Sequence, residues 1–90
     1  MSSSTITILY FASASTATGK STETLSIPST GLPLPSLPTL LHSLYPNNTT
    51  LIKVLNSSQW SVDEEMIDDP SSVILRGGEE VAVIPPVSGG

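Results

Sequence analysis

Apolar residues between Thr5 and Ala12 alternate with a period of two: Ile6, Ile8 and Tyr10 fall on one face, Thr7, Leu9 and Phe11 on the other. That period predicts a strand. Apolar residues on both faces predict either a central strand between two layers or an outer face kept for docking. After a polar loop or short helical turn through Ser13 to Lys20, Ser21 to Ile27 alternates again, with Thr22, Thr24 and Ser26 opposite Glu23, Leu25 and Ile27. The two strands are predicted to pair as a hairpin. Pro28 to Pro35 is turn-rich, and then Leu37, Leu40, Leu41 and Leu44 recur at i, i+3, i+4 and i+7, the one convincing helical stripe. Ser36 offers an N-cap, Pro38 falls in the first turn where its missing donor is harmless, and Tyr45-Pro46-Asn47 ends the run. Leu51 to Leu55 predicts a third strand, Asn56-Ser57-Ser58 a turn, and Gln59 to Val62 a short fourth strand. A charged loop follows, then the apolar patch Val73-Ile74-Leu75, a turn at Arg76-Gly77-Gly78 and a last strand from Glu80 to Ile84.

The predicted order is β-β-α-β-β-β. A hairpin, one main helix and returning strands describe the β-grasp (ubiquitin-like) arrangement, an α+β fold in which a helix covers one face of a mixed sheet. Residues 1–84 read as this domain and residues 85–90 as an extended tail. Parity assigns the uncovered face. With Ile6, Ile8 and Tyr10 under the helix, Leu9 and Phe11 point away; in the last strand Val81 and Val83 point inward, and Ala82 and Ile84 outward. Leu9, Phe11 and Ile84 then form an apolar patch, covered either by loops or an edge side chain such as Trp60, or by a docked partner.

Composition narrows the chemistry. The 90 residues hold no Cys, one His, three basic and eight acidic side chains, for a net charge of −5. One small domain fits, with a core too modest for a deep active site. Absent Cys excludes disulfides, thiolate nucleophiles, persulfide carriage and Cys-bound zinc. Three cations are too few for nucleic-acid binding. More than a quarter of residues are Ser or Thr, yet 38% hydrophobic and 12% charged residues describe a folded domain with polar loops rather than a disordered segment. The apolar stretch Ile6 to Ala12 lacks the basic n-region of a secretory signal, and no run approaches a membrane span, so the expected compartment is the cytosol.

Several motifs resolve to ordinary roles. Ala14 to Ser21 ends in Gly19-Lys20-Ser21 like a phosphate-binding loop, but Ala14 stands where the first glycine belongs and a strand follows where a helix is required. His42, beside the leucine stripe, reads as a helix-surface residue. Asp63, Glu64, Glu65, Asp68 and Asp69 lack the spacing and central glycine of a calcium loop and read as solvated carboxylates. Charge is nonetheless uneven, at −6 over residues 63–90 and +1 over residues 1–62. Such a field accelerates docking to a positively charged partner.

The tail carries the most specific chemistry. Pro85-Pro86 removes two backbone donors and stiffens the exit from the last strand, and Val87-Ser88-Gly89-Gly90 ends in two residues without side chains. At 3.3–3.6 Å per residue, Pro85 to Gly90 reaches about 20 Å, enough to enter another protein's pocket. Ordering glycine is entropically unfavourable, so paired glycines point to a narrow channel or to reaction at the terminal carboxylate.

Gly78-Glu79-Glu80-Val81-Ala82-Val83-Ile84-Pro85-Pro86-Val87-Ser88-Gly89-Gly90 resembles the C-terminal signature of molybdopterin synthase small subunits, a ubiquitin-like sulfur-carrier family, and Ile8-Leu9-Tyr10-Phe11-Ala12 is similar to its opening strand. Residues Asn56 to Ser72 depart from the usual pattern. The resemblance implies a carrier without catalytic residues or metal of its own. It implies that Gly90 is adenylated by a ubiquitin-activating-type enzyme consuming ATP and converted to a thiocarboxylate. Sulfur then passes to cyclic pyranopterin monophosphate inside a large subunit with which the chain forms a heterotetramer. Pro85, Pro86, Val87, Ser88 and Gly89 would thread that partner, Leu9, Phe11 and Ile84 would dock on it, and no cofactor would stay bound. Thiamine or tRNA thiolation, a ubiquitin-like protein modifier and a plain interaction domain are the alternatives.

Overall fold

Alternation of apolar residues does build the predicted sheet in the computed structural model, which describes residues 4–86. The chain runs β1 (Ser4–Tyr10), α1 (Ser13–Thr18), β2 (Thr22–Ile27), β3 (Leu32–Pro33), a 3-10 turn (Leu34–Ser36), α2 (Leu37–Leu44), α3 (Thr49–Ser57), β4 (Gln59–Val62), β5 (Glu65–Met66), a 3-10 turn (Pro70–Ser72), β6 (Ile74–Leu75) and β7 (Glu80–Ile84). Five strands form one mixed sheet in the order β2-β1-β7-β4-β5, and β3 with β6 makes a small second ribbon. β1 is antiparallel to β2, with Ile6 opposite Leu25, and parallel to β7, with Ile8 beside Val81. β4 returns antiparallel to β7, with Trp60 opposite Val83. This is the predicted β-grasp fold.

Parity holds as predicted. Ile6, Ile8 and Tyr10 of β1 and Val81 and Val83 of β7 are buried on the helix side, where they meet Leu37 and Leu41 of α2 and Leu51 and Leu55 of α3. Trp60 belongs to the same core, 7% exposed, because its register opposite Val83 turns it inward. It therefore does not cover the outer patch.

The element predicted as a third strand over Leu51 to Leu55 is instead α3 (Thr49–Ser57), so consecutive helices, not a single one, back the sheet. Leu-Ile-Lys-Val-Leu satisfies both periods, because its end leucines lie four apart as well as an even number apart. The N-cap decides between them. Asn48 Oδ1 accepts from the Leu51 N–H at 2.9 Å, while its side-chain amide donates to the Ala17 carbonyl at 2.8 Å. One side chain thus starts α3 and ties it to α1. A helix over this stretch buries Leu51 and Leu55 together and leaves Lys53 in water.

Ser13 to Lys20 takes the helical alternative as α1. Gly19 ends that helix in the left-handed region, φ 74°, its N–H donating to Ser15 O at 2.8 Å. In a phosphate loop the same glycine would precede a helix. β1 stops at Tyr10 rather than Ala12, because Ala12 has φ 50° and swings the chain out of the sheet into α1.

Candidate functional site

The open face of the sheet brings together the three predicted docking residues. Leu9 from β1, Phe11 just beyond it and Ile84 from the end of β7 line a shallow depression of about 270 Å³ with Ala82, Ser61, Met66, Glu64 and Glu80. Phe11 is 48% and Met66 49% exposed, which leaves two large apolar side chains in water at one place. Isolated exposed apolar residues are ordinary; here two stand together on one face of the sheet, the arrangement that a docking surface would need.

Local structure explains the arrangement. The Phe11 N–H still donates to the Val83 carbonyl, at 3.3 Å, which holds Phe11 against the sheet while Ala12 turns the chain away. Glu80, Ala82 and Ile84 alternate onto the same face of β7, and parity would have identified Glu80 as a lining residue. Met66 and Glu64 left no such signal. They arrive through a tight β4–β5 turn at Asp63-Glu64, φ 51° and 73°, within what the sequence marks only as a charged loop. Asp63 locks that turn onto β7: its N–H donates to the Glu80 carbonyl at 2.8 Å, and its Oδ1 accepts from the Glu80 N–H at 3.0 Å.

β7 ends at Ile84, which lines this depression, and the chain continues through Pro85 and Pro86. Pro85 is buried and Pro86 exposed. Val87, Ser88, Gly89 and Gly90, the remaining predicted tail residues, lie outside the described residues.

A polar network missed by the sequence reading lies at the β2 side of the sheet. Glu23 Oε1 accepts from the Tyr10 and Tyr45 hydroxyls, each at 2.8 Å, and Oε2 from Lys20 Nζ at 3.2 Å. Lys20 also stands 5.8 Å from the centroid of the Tyr45 ring. Burial by itself raises the Glu23 pKa, but the hydrogen bonds from Tyr10, Tyr45 and Lys20 and the Lys20 charge outweigh it and hold the carboxyl below its ordinary value. Burial, then the Glu23 carboxylate, pushes the Tyr10 hydroxyl the opposite way, well above the usual tyrosine range. The lysine of the phosphate-loop lookalike is thus engaged in tying β2 to the end of α2. Of the other singled-out residues, His42 is exposed on α2, and Asp69 Oδ1 accepts from the Ser71 N–H at 3.1 Å to start a 3-10 turn. Among the described residues, no helix is long and apolar enough to cross a membrane.

Comparison with known proteins extends the resemblance over nearly the whole chain. A profile described as the ThiS family matches residues 8–90. A "Molybdopterin synthase sulfur carrier subunit" from Aspergillus niger is 50% identical over 90 residues, covering 98% of this chain and 97% of that protein. Among solved structures, small archaeal modifier protein 1 from Methanosarcina acetivorans superposes with a TM-score of 0.74 at 20% identity and full coverage of both chains. A complex of subunits 1 and 2 of the molybdopterin-converting factor from Helicobacter pylori contains a chain similar with a TM-score of 0.56 at 19% identity, covering 96% of this chain and 99% of that one. At such identities the two structures speak for the fold.

Proposed function

The chain belongs to the ThiS family, and from that premise we propose that it is the sulfur-carrier subunit of a molybdopterin synthase, a non-catalytic component working in the cytosol. The observation that carries this reading is similarity to a named sulfur-carrier subunit at 50% identity over nearly the full length of both proteins. Absent cysteine agrees with it, because the sulfur rides on the backbone terminus.

A free carboxylate is a poor acyl electrophile. Attack of the Gly90 carboxylate on the α-phosphorus of ATP, catalysed by a ubiquitin-activating-type enzyme, expels pyrophosphate and makes an acyl-adenylate with a good leaving group; sulfide-level sulfur from a donor then displaces AMP to leave a thiocarboxylate. Its sulfur is the nucleophile delivered to cyclic pyranopterin monophosphate in the large subunit. Acid, base and cationic groups belong to that larger partner, and no cofactor stays on the carrier. Pro85 to Gly89 form the part that leads into the partner, with Pro85 buried at its root in the domain and Gly89 passing where a Cβ would obstruct. The domain up to Ile84 serves as the handle, docking through Leu9, Phe11 and Ile84; the two-subunit composition of the Helicobacter pylori complex supports a large-subunit partner.

Intact mass after incubation with the activating enzyme, ATP and a sulfur donor tests the chemistry: one oxygen should be exchanged for sulfur in the C-terminal peptide. An unchanged mass rejects the carrier role, and isopeptide conjugates on lysines of other proteins would reassign the chain as a modifier. For docking, Phe11→Asp places a charge on the apolar depression at a half-exposed site. It should weaken large-subunit binding at least tenfold with little change in stability. Unchanged affinity would remove the patch from the interface.

A further inference from the structure

The docking depression is not apolar throughout. Glu64 and Glu80 line it beside Leu9, Phe11, Met66 and Ile84. Among the described residues the one salt bridge joins Lys20 to Glu23, so neither lining carboxylate has a cationic partner among them. A protein that covers the depression with apolar side chains alone would strip water from both carboxylates and give nothing in return, a strongly unfavourable exchange. Whatever docks there must carry positive charge at the matching place.

The β4–β5 turn sharpens the point. A two-residue hairpin loop with positive φ at both positions favours Asn or Asp followed by Gly, and Asp63 satisfies the first position. Glu64 occupies the second at φ 73°, where glycine is the better residue for the backbone. Folding alone therefore does not account for a glutamate there. Asp63 then clamps the turn to Glu80 through two hydrogen bonds to its backbone, which brings Glu64 to the depression that Glu80 also lines.

We propose that Glu64 and Glu80 are the specificity determinants of the docking face, receiving an arginine or lysine side chain of the synthase large subunit that lies beside an apolar residue seated between Phe11, Met66 and Ile84. This deepens the proposed function and rests on it. The −6 charge of residues 63–90 gives the long-range component, and the two carboxylates give the register.

The test measures association of the full chain with the large subunit across ionic strength for Glu64→Gly, Glu80→Gln and Phe11→Asp. Glu64→Gly should fold with unchanged or higher thermal midpoint, because it supplies the residue the turn prefers. Each carboxylate variant should nevertheless bind roughly two- to fivefold more weakly at low salt, mostly through slower association, with the deficit shrinking as salt rises. Glu80→Gln provides the same reading without touching the turn, since the contacts to Asp63 use the Glu80 backbone. Unchanged or tighter binding by both carboxylate variants, with Phe11→Asp still weakened, overturns the acidic determinant and spares the docking reading. Unchanged binding by all three overturns the docking reading itself.

Discussion

Removing the Glu23 carboxylate should loosen the attachment between the sheet and the end of the second helix, and structure sets the size of the effect. In Glu23→Ala three donors lose their acceptor: the Tyr10 and Tyr45 hydroxyls and the Lys20 ammonium. Lys20 is exposed and rehydrates, and half-buried Tyr45 does so in part. Tyr10 is 2% exposed, so its hydroxyl has little access to water, and the loss of a charged acceptor there costs about 2–3 kcal/mol. For a domain of this size that lowers the melting temperature by about 10 °C or more. The pH dependence has a definite sign. A folded-state pKa held below its unfolded value contributes stability that is complete above the unfolded pKa and is lost as pH falls through the folded one. Urea denaturation of the wild-type and variant chains should therefore show a gap that is widest near about pH 7 and narrows by about pH 3. Adding Tyr10→Phe to Glu23→Ala should recover most of the loss, because the stranded hydroxyl goes with it. A gap independent of pH, or a double variant as weak as the sum of its parts, would contradict a charged acceptor at the centre of this network.

Two further expectations concern the fold. Leu51→Ala, at a fully buried position of α3 (0% exposed), should cost about 2–5 kcal/mol in equilibrium unfolding, whereas Ile52→Ala on the half-buried side of the same helix should cost much less; equal costs would argue against the helical assignment. Ala12→Gly should stabilise the chain by about 1 kcal/mol by relieving a positive φ at the β1–α1 corner, checked by thermal melting, and a lower midpoint would refute that geometry.

Strand parity was legible because it is a local property. Once Ile6, Ile8 and Tyr10 are placed under the helices, the pleat sends Leu9 to the other face without reference to the rest of the chain, and the same rule orients β7. The leucine stripe of α2 was legible for a similar reason through Leu37, Leu40 and Leu41, whereas Leu44, at the end of the helix, is 48% exposed and lies off the core. The stretch from Leu51 to Leu55 was not, because five residues fit both periods and the deciding hydrogen bonds belong to Asn48, which reaches one way to α3 and the other way to α1. A residue whose role is to join two elements leaves little trace in the pattern of either.

The sequence by itself determined the sheet's inner and outer faces, since these depend only on alternation over a few neighbours. Tertiary structure alone decided what stands beside the exposed apolar residues. The parallel pairing of β1 with β7 and the antiparallel return of β4 place Leu9, Ala82 and Ser61 side by side across the sheet. The turn at Asp63-Glu64 then carries a carboxylate and Met66 to the same depression. These neighbours are tens of residues apart in sequence. What joins them is strand order, which is set by burying one shared core rather than by any short segment.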